Sequence, residues 1–121
     1  MYENKKIAVF GVSQDPAKYG YKIFTTLLKK GFSVYGINPK GGEVEGRTVY
    51  TKLADAPGPV DVAVMVIPPA ALMSAVEQCI DAGVKEIWFQ PGAQSDEAYD
   101  LADKAGINAT DSCFMADNGL W

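Results

Sequence analysis

The stretch from Lys6 to Asn38, KIAVFGVSQDPAKYGYKIFTTLLKKGFSVYGIN, contains the apolar pattern of a strand, a loop, a helix and a second strand. The first apolar run ends at Gly11. The segment from Gly20 to Lys30 then carries its apolar residues at helical spacing, and Gly31 ends that helix. A strand–helix–strand unit of about 33 residues indicates two parallel neighbouring strands.

The same alternation continues to the end of the chain. The run from Asp61 to Ile67 is almost continuously apolar and β-branched, which indicates a strand buried on both faces of a parallel sheet. The other predicted elements are strands at 85–89 and 107–110, a small edge strand or loop at 48–50, a helical turn near Leu53, and helices at 70–82 and 95–105, the latter with Ser95 as N-cap. We therefore predict one Rossmann-like α/β domain over residues 1–121, with a doubly wound, mainly parallel sheet of five or six strands flanked by helices on both sides.

The length of 121 residues and the formal charge of −4 limit the function. The length suits one core better than the two domains of a typical enzyme. A net negative charge disfavours a nucleic-acid surface, which needs clustered Lys and Arg. No apolar run approaches the roughly 18 residues that cross a bilayer, and the first residues, MYENKK, lead directly into a strand. We expect a cytoplasmic protein without membrane or nucleic-acid partners.

The chain contains no histidine, which removes the commonest general base and every Ser–His or Cys–His nucleophile pair. Cys79 and Cys113 lack the spacing of a zinc site, so no metal site is predicted. Cys79 lies at an apolar helical position and is expected to be structural. We predict no catalytic residue, and the lack of a general base and of a metal site favours a protein that is not an enzyme.

Ligands of doubly wound sheets bind beyond the carboxyl ends of the strands, where the strand order reverses. The informative residues should therefore follow strands. The segments at these positions are Gly11–Gly20, Asn38–Lys40, Ile67–Pro69, Phe89–Gly92 and Ser112–Cys113.

The first of these segments has the composition of a phosphate-binding loop. Gly11 permits a tight turn, Ser13 offers a hydroxyl, Lys18 a positive charge, and Gly20 stands where the helix begins. Free amides and the helix dipole at that point favour an anionic group. The alternative is that the two glycines serve only the turns.

The loop departs from the dinucleotide-binding motif, because Ser13 replaces the second glycine and Gly20 is too distant. NAD-binding proteins also place an acidic residue after the second strand, where this chain has Asn38, Pro39 and Lys40. A lysine there suits a phosphate on the ribose, which coenzyme A and NADP both carry. Lys40 could equally be a solvated turn residue.

A set of short motifs shared with one family spans nearly the whole chain. These motifs are Gly11-Val12-Ser13 with Lys18 and Gly20, Asn38-Pro39, Gly46 with Val49-Tyr50, Val60-Asp61, Ile67-Pro68, Trp88-Phe89-Gln90-Pro91-Gly92 and Cys113. By their order and spacing the chain resembles the coenzyme A-binding domain proteins, stand-alone relatives of the first domain of the succinyl-CoA synthetase alpha subunit.

This resemblance implies a coenzyme A site. The loop from Ser13 to Lys18 would hold the phosphates, Lys40 would meet the phosphorylated adenosine, and Ile67 with Pro68 would line the adenine or pantetheine path. Trp88 is instead expected in the core. The complete set of expected ligand-binding residues is Gly11, Val12, Ser13, Lys18, Tyr19, Gly20, Asn38, Pro39, Lys40, Ile67, Pro68, Phe89, Gln90, Pro91, Gly92 and Cys113.

The departures from the family limit what the resemblance implies. The basic, histidine-containing tail of many members is missing after Cys113, and so is the synthetase domain with the phosphorylated histidine. We therefore expect binding of coenzyme A or an acyl-CoA by a carrier, sensor or partner subunit, with a homodimer compatible with the sequence. The alternatives are an NAD(P)-binding redox protein or sensor, and thiol or thioester chemistry at Cys113, which could instead be a buried small hydrophobe.

Overall fold

The computed structural model describes residues 2–121, which form seven strands and four helices. The strands are β1 (Lys6–Phe10), β2 (Ser33–Ile37), β3 (Glu43–Val44), β4 (Arg47–Tyr50), β5 (Val62–Met65), β6 (Glu86–Phe89) and β7 (Asn108–Asp111). The helices are α1 (Tyr19–Lys29), α2 (Leu72–Asp81), α3 (Asp96–Lys104) and α4 (Phe114–Asp117), and single 3₁₀ turns lie at Leu53–Asp55 and Pro69–Ala71. None of the helices in this part of the chain has the length and apolar character needed to cross a membrane.

The strands form one sheet in the order β3-β4-β2-β1-β5-β6-β7. All neighbouring strands are parallel except β3 and β4. The chain passes from β1 through α1 to β2 on one side, and the second half, beginning with β5, adds to the other side of β1. The strand order therefore reverses between β1 and β5, and the predicted doubly wound, Rossmann-like α/β fold is confirmed.

Two apolar layers fill the space between the sheet and its helices. Residues of α1 and α4, among them Phe24 and Phe114, pack on one face of the sheet, and residues of α2 and α3 pack on the other. Trp88 is nine-tenths buried in the first layer, as expected. Cys79 is fully buried in the second, where burial raises the pKa of its thiol to about 12. Cys79 is thus the structural residue that its helical position predicts.

The sheet has seven strands, whereas five or six were predicted. The additional strand is β3, which is only two residues long and was not recognised in the sequence. Val44 pairs with Arg47 across a two-residue loop in which Glu45 and Gly46 both have positive φ, at 53° and 72°. This is the geometry of a tight hairpin turn. Two residues are too few to show the period-two alternation from which strands are predicted.

Most element boundaries agree with the prediction, and the differences have local causes. The Ser95 Oγ accepts a hydrogen bond from the Ala98 amide at 3.3 Å, which confirms Ser95 as the N-cap of α3. The strand predicted at 61–67 is shorter in the structure, where β5 comprises Val62–Met65, although the Asp61 and Val66 amides still donate to the carbonyl oxygens of Lys6 and Phe10 in β1. Helix α4 was not predicted, since four residues show no helical period.

The segment before β1 is held against the sheet by a carboxylate. The Tyr2 hydroxyl and the Trp88 indole N–H both donate to the Oε2 atom of Glu86. The Tyr2 ring packs edge-on against Phe114 with 4.9 Å between the ring centroids. These contacts lie near the amino ends of the strands, opposite the edge at which a ligand is expected.

Candidate functional site

The carboxyl ends of the strands form one edge of the sheet, which we call the rim, and α1 begins there. Three depressions follow the rim. The first, which we call the β2 cavity, has a volume of about 120 Å³ and is lined by residues that include Pro39 and Ile67. The second, the central groove, has a volume of about 280 Å³ and is lined by residues that include Ile67, Pro68 and Pro91. The third, the β7 cavity, has a volume of about 210 Å³ and is lined by residues that include Pro91 and Cys113. A larger open depression of about 480 Å³ lies beside the start of β2. We place the site on the rim, because the strand order reverses there.

Gly11 and Gly20 allow the first loop to pack closely on the sheet. Gly11 has a φ of +100°, and a Cβ atom on it would lie 2.1 Å from the carbonyl oxygen of Val66. A Cβ atom on Gly20 would lie 1.9 Å from the carbonyl oxygen of Gly11. Both glycines are therefore required by packing. That packing also brings the start of α1 to the rim.

The amino-terminal end of α1 has the properties of an anion-binding element. Lys18 occupies the N-cap position without a capping hydrogen bond from its side chain, and the first turn contains no acidic residue. The first amides of a helix have no partner within the helix and lie at the positive end of its dipole. The Lys18 side chain adds a full positive charge, so an anionic group bound here would meet both amides and a cation.

The remainder of the first loop is held by its own side chains. The Ser13 Oγ accepts a hydrogen bond from the Asp15 amide at 3.0 Å, and the Asp15 Oδ1 accepts one from the Ala17 amide at 2.9 Å. The Ser13 hydroxyl keeps its own proton for donation to a ligand. Tyr19, the first residue of α1, is 67% exposed at the rim.

Asn38 joins the loops that follow β1 and β2. Its Nδ2 donates to the carbonyl oxygen of Val12 at 2.8 Å, and its Oδ1 accepts from the Lys40 amide at 2.9 Å. The side chain of Asn38 is therefore occupied in positioning Lys40. Within residues 2–121 the exposed Lys40 ammonium forms no hydrogen bond or ion pair, so its charge is available to a ligand.

Two of the expected site residues have side chains that cannot reach the rim. Val12 is 2% exposed and packs against Gly36, and Phe89 is fully buried beside Tyr99. Only their backbone atoms lie near the site. The reason is the alternation of side chains along a strand, which turns the last residue of β6 into the α2–α3 layer.

Gln90 connects the end of β6 to the start of α4. This side chain is 5% exposed, its Oε1 accepts from the Phe114 amide at 2.7 Å, and its Nε2 donates to the Cys113 Sγ at 3.4 Å. The Ala116 amide donates to the same sulfur, also at 3.4 Å. Gln90 thus positions Cys113, which is half-buried and lines the β7 cavity.

Several rim residues were not predicted from the sequence. Ile23, Val66 and Trp121 line the β7 cavity, and Thr51 and Ser74 line the β2 cavity. Trp121 reaches the rim because α4 reverses the chain, and no rule based on strand ends could locate it. The apolar face of α1 did indicate Ile23, but as a core residue.

Comparisons with known proteins identify the family of the chain. Residues 5–119 match the family model described as a CoA binding domain. The alpha subunit of the ADP-forming acetate–CoA ligase I of Pyrococcus furiosus is 38% identical over 93 residues, which are 72% of this chain and 20% of that subunit. The chain thus spans about a fifth of that relative.

Two solved structures have the same fold over almost the entire chain. A conserved hypothetical protein from Pyrococcus furiosus is 41% identical, with a TM-score of 0.85, and the match covers 93% of this chain and 98% of that one. A hypothetical protein from Pyrococcus horikoshii is 36% identical, with a TM-score of 0.90, and the match covers 95% of this chain and 82% of that one. With the family model matching nearly every residue, the chain belongs to the CoA binding domain family.

Proposed function

We propose that this protein is a single domain that binds coenzyme A at the rim and acts as a carrier, sensor or partner subunit without turnover of its own. The observation that carries the proposal is the start of α1, where the first helical amides and Lys18 lie at the rim and the first turn contains no acidic residue. The nearby Asp15 carboxylate belongs to the preceding loop, where it accepts a hydrogen bond from the Ala17 amide. Coenzyme A offers a pyrophosphate for this position. Lys40, held beyond β2 by Asn38, suits the 3′-phosphate of the ribose.

The rest of the rim is compatible with an extended, partly apolar ligand. Ile67 borders both the β2 cavity and the central groove, and Pro91 borders both the central groove and the β7 cavity. Apolar walls with a few placed polar groups are typical of cofactor sites. These shared walls support a path along which the adenosine lies near β2 and the pantetheine arm runs towards β7.

The relatives favour a role as partner subunit over the other two roles. The relative from Pyrococcus furiosus is, by its name, the alpha subunit of a ligase that joins acetate and coenzyme A. The present chain matches only a fifth of that subunit, so the ligase activity itself is not proposed. Association with a further chain that completes such an enzyme is consistent with the exposed rim.

The two alternatives from the sequence are less well supported. NADP also carries a ribose phosphate that Lys40 could bind, but the first loop lacks the glycine spacing of dinucleotide sites. Thioester chemistry at Cys113 would need a base, and the sequence contains no histidine. Coenzyme A is therefore the preferred ligand.

A calorimetric titration with coenzyme A, dephospho-coenzyme A, NAD and NADP tests the proposal. We expect coenzyme A to bind most tightly, and loss of the 3′-phosphate to weaken binding about tenfold, as for a hydrogen bond to a charged group. In Lys40→Ala the difference between coenzyme A and dephospho-coenzyme A should largely disappear. Lys85→Ala, which removes an exposed charge near the amino end of β6, is the matched control and should keep the difference.

Two results would contradict the proposal at different levels. If none of the four ligands binds, the rim is not a coenzyme A site. If coenzyme A and dephospho-coenzyme A bind the unaltered protein equally well, coenzyme A remains the ligand but Lys40 has no part in recognising the ribose phosphate.

A further inference from the structure

The β7 cavity is more apolar than phosphate recognition requires. Its walls come from Ile23, Val66, Pro91 and the rings of Tyr19 and Trp121, and none of residues 2–121 lines it with a charged side chain. We infer that this cavity receives the acyl group of a short, uncharged acyl-coenzyme A. The inference rests on the proposed function and extends it, because it specifies the form of coenzyme A that binds best.

The position of the cavity matches the length of the ligand. Tyr19, the first residue of α1, and Cys113, which follows β7, both line the cavity, so the cavity extends from the proposed phosphate site towards β7. Cys113 follows β7, which is separated from β1 by β5 and β6. Three steps of about 4.8 Å between neighbouring strands give about 14 Å. The pantetheine arm has roughly twelve bonds between the phosphate oxygen and sulfur and therefore extends about 14 Å, at about 3.5 Å for every three bonds.

The volume of the cavity limits the size of the acyl group. In the liquid one water molecule occupies about 30 Å³, so 210 Å³ accommodates about seven groups of that size. The thioester and the end of the pantetheine arm take up part of this space. An acyl group of about four carbons fits in the remainder, and a long fatty acyl chain does not.

The polar groups of the cavity favour an uncharged acyl group. Both ends of the Gln90 amide are already bonded, to the Phe114 amide and to the Cys113 sulfur. The Cys113 sulfur accepts two N–H groups, which leaves its own proton as a weak donor for a thioester carbonyl. None of residues 2–121 contributes a charged side chain to the lining, so a carboxylate at the end of the acyl group would lose its hydration without an ion-pair partner in the cavity walls, which is unfavourable.

The exposed aromatic residues beside the β7 cavity independently support an apolar ligand there. Tyr19, Met73 and Trp121 are the large apolar side chains that are exposed within residues 2–121, and two of these three border the β7 cavity. Trp121 is 56% exposed. The Lys22 ammonium lies 5.7 Å from the centroid of the Tyr19 ring, which helps to hold that ring in place. An acyl group in the cavity would cover apolar surface that is otherwise in water.

Butyryl-coenzyme A and succinyl-coenzyme A form a matched pair for the test, because both acyl groups have four carbons and only succinyl carries a charge. Calorimetric titration of the unaltered protein should show that butyryl-coenzyme A binds at least fivefold more tightly than free coenzyme A. Burial of each methylene contributes about fourfold in affinity. Succinyl-coenzyme A should bind no more tightly than coenzyme A.

Trp121→Ala should reduce the ratio of butyryl-coenzyme A to coenzyme A affinity to below twofold, because it removes one wall of the cavity. Met73→Ala removes another exposed apolar side chain, on α2 and away from the β7 cavity, and should leave the ratio unchanged. If coenzyme A binds but butyryl-coenzyme A gains nothing, or succinyl-coenzyme A gains equally, the acyl cavity is refuted and the coenzyme A site stands. If no form of coenzyme A binds, the proposed function fails first and the inference fails with it.

Discussion

At the scale of single residues, the absence of a side chain is as informative as its presence. Gly20 lies in the first turn of α1, and its backbone touches the carbonyl of Gly11. The contacting atom belongs to the backbone, so it cannot move aside as a flexible side chain would. The close approach of α1 to β1 therefore depends on a hydrogen atom at this position.

We expect Gly20→Ala to lower the free energy of unfolding by about 3 kcal/mol, as overpacking does, despite the better helix propensity of alanine. Urea denaturation measures this loss. Gly31→Ala is the control: its φ of +86° is unfavourable for alanine, but its Cβ would meet nothing within 4 Å. That variant should lose only about 1 kcal/mol. Equal losses in the two variants would mean that the contact with Gly11 is unimportant.

At the scale of the element, α1 differs from α3 in a way that relates to function. Helix α3 begins with Ser95 as a capping residue and has Asp96 and Glu97 in its first turn. Helix α1 has neither a capping side chain nor an acidic residue there. The groups that would stabilise the start of α1 are those that would repel or displace an anion.

Lys18→Asp should therefore change stability and binding in opposite directions. An aspartate at the N-cap should stabilise α1 by about 1 kcal/mol. The same carboxylate should weaken coenzyme A binding at least tenfold, because it occupies the amides and repels the pyrophosphate. Thermal unfolding and calorimetry measure the two effects. Lys85→Asp changes the net charge equally at the opposite edge and should leave the affinity unchanged. Retained affinity in Lys18→Asp would exclude the start of α1 as the phosphate site.

The elements that could be predicted from sequence are those long enough to show a period. The alternation from β1 to β2 and the apolar run of β5 predict the doubly wound sheet, and the reversal of strand order then locates the rim. The two residues of β3 and the four of α4 are too short for this approach. The roles of Gln90 and Trp121 were not predictable, because they depend on how α4 folds back on the rim.

At the scale of the whole molecule, the first described residues are fixed to the sheet through Tyr2. Burial, together with the hydrogen bond to Glu86, raises the pKa of the Tyr2 hydroxyl to about 12. A neutral Tyr2 is thus favoured in the folded protein. Its contribution to stability is complete below the ordinary tyrosine pKa of about 10 and is lost as the pH rises towards 12.

Tyr2→Phe should therefore be less stable than the unaltered protein at pH 8, and the difference should shrink between pH 10 and 12. Denaturation of both proteins at several pH values measures this, and lysine titration affects both equally. Tyr21→Phe, which removes an exposed hydroxyl bonded to Glu45, should stay close to the unaltered protein at pH 8. Equal stability of Tyr2→Phe and the unaltered protein at pH 8 would show that Tyr2 stabilises by ring packing alone, because phenylalanine keeps the ring. A difference that does not change between pH 10 and 12 would exclude a role for ionisation of the Tyr2 hydroxyl.

The two tryptophans of this chain lie in contrasting environments. Trp88 is shielded inside the sheet layer, whereas Trp121 borders the β7 cavity and is open to water. Iodide in the solvent should therefore quench the emission of Trp121 and spare that of Trp88. A molecule that enters the cavity should shift the Trp121 emission to shorter wavelength. The protein thus contains its own optical reporter for this end of the rim.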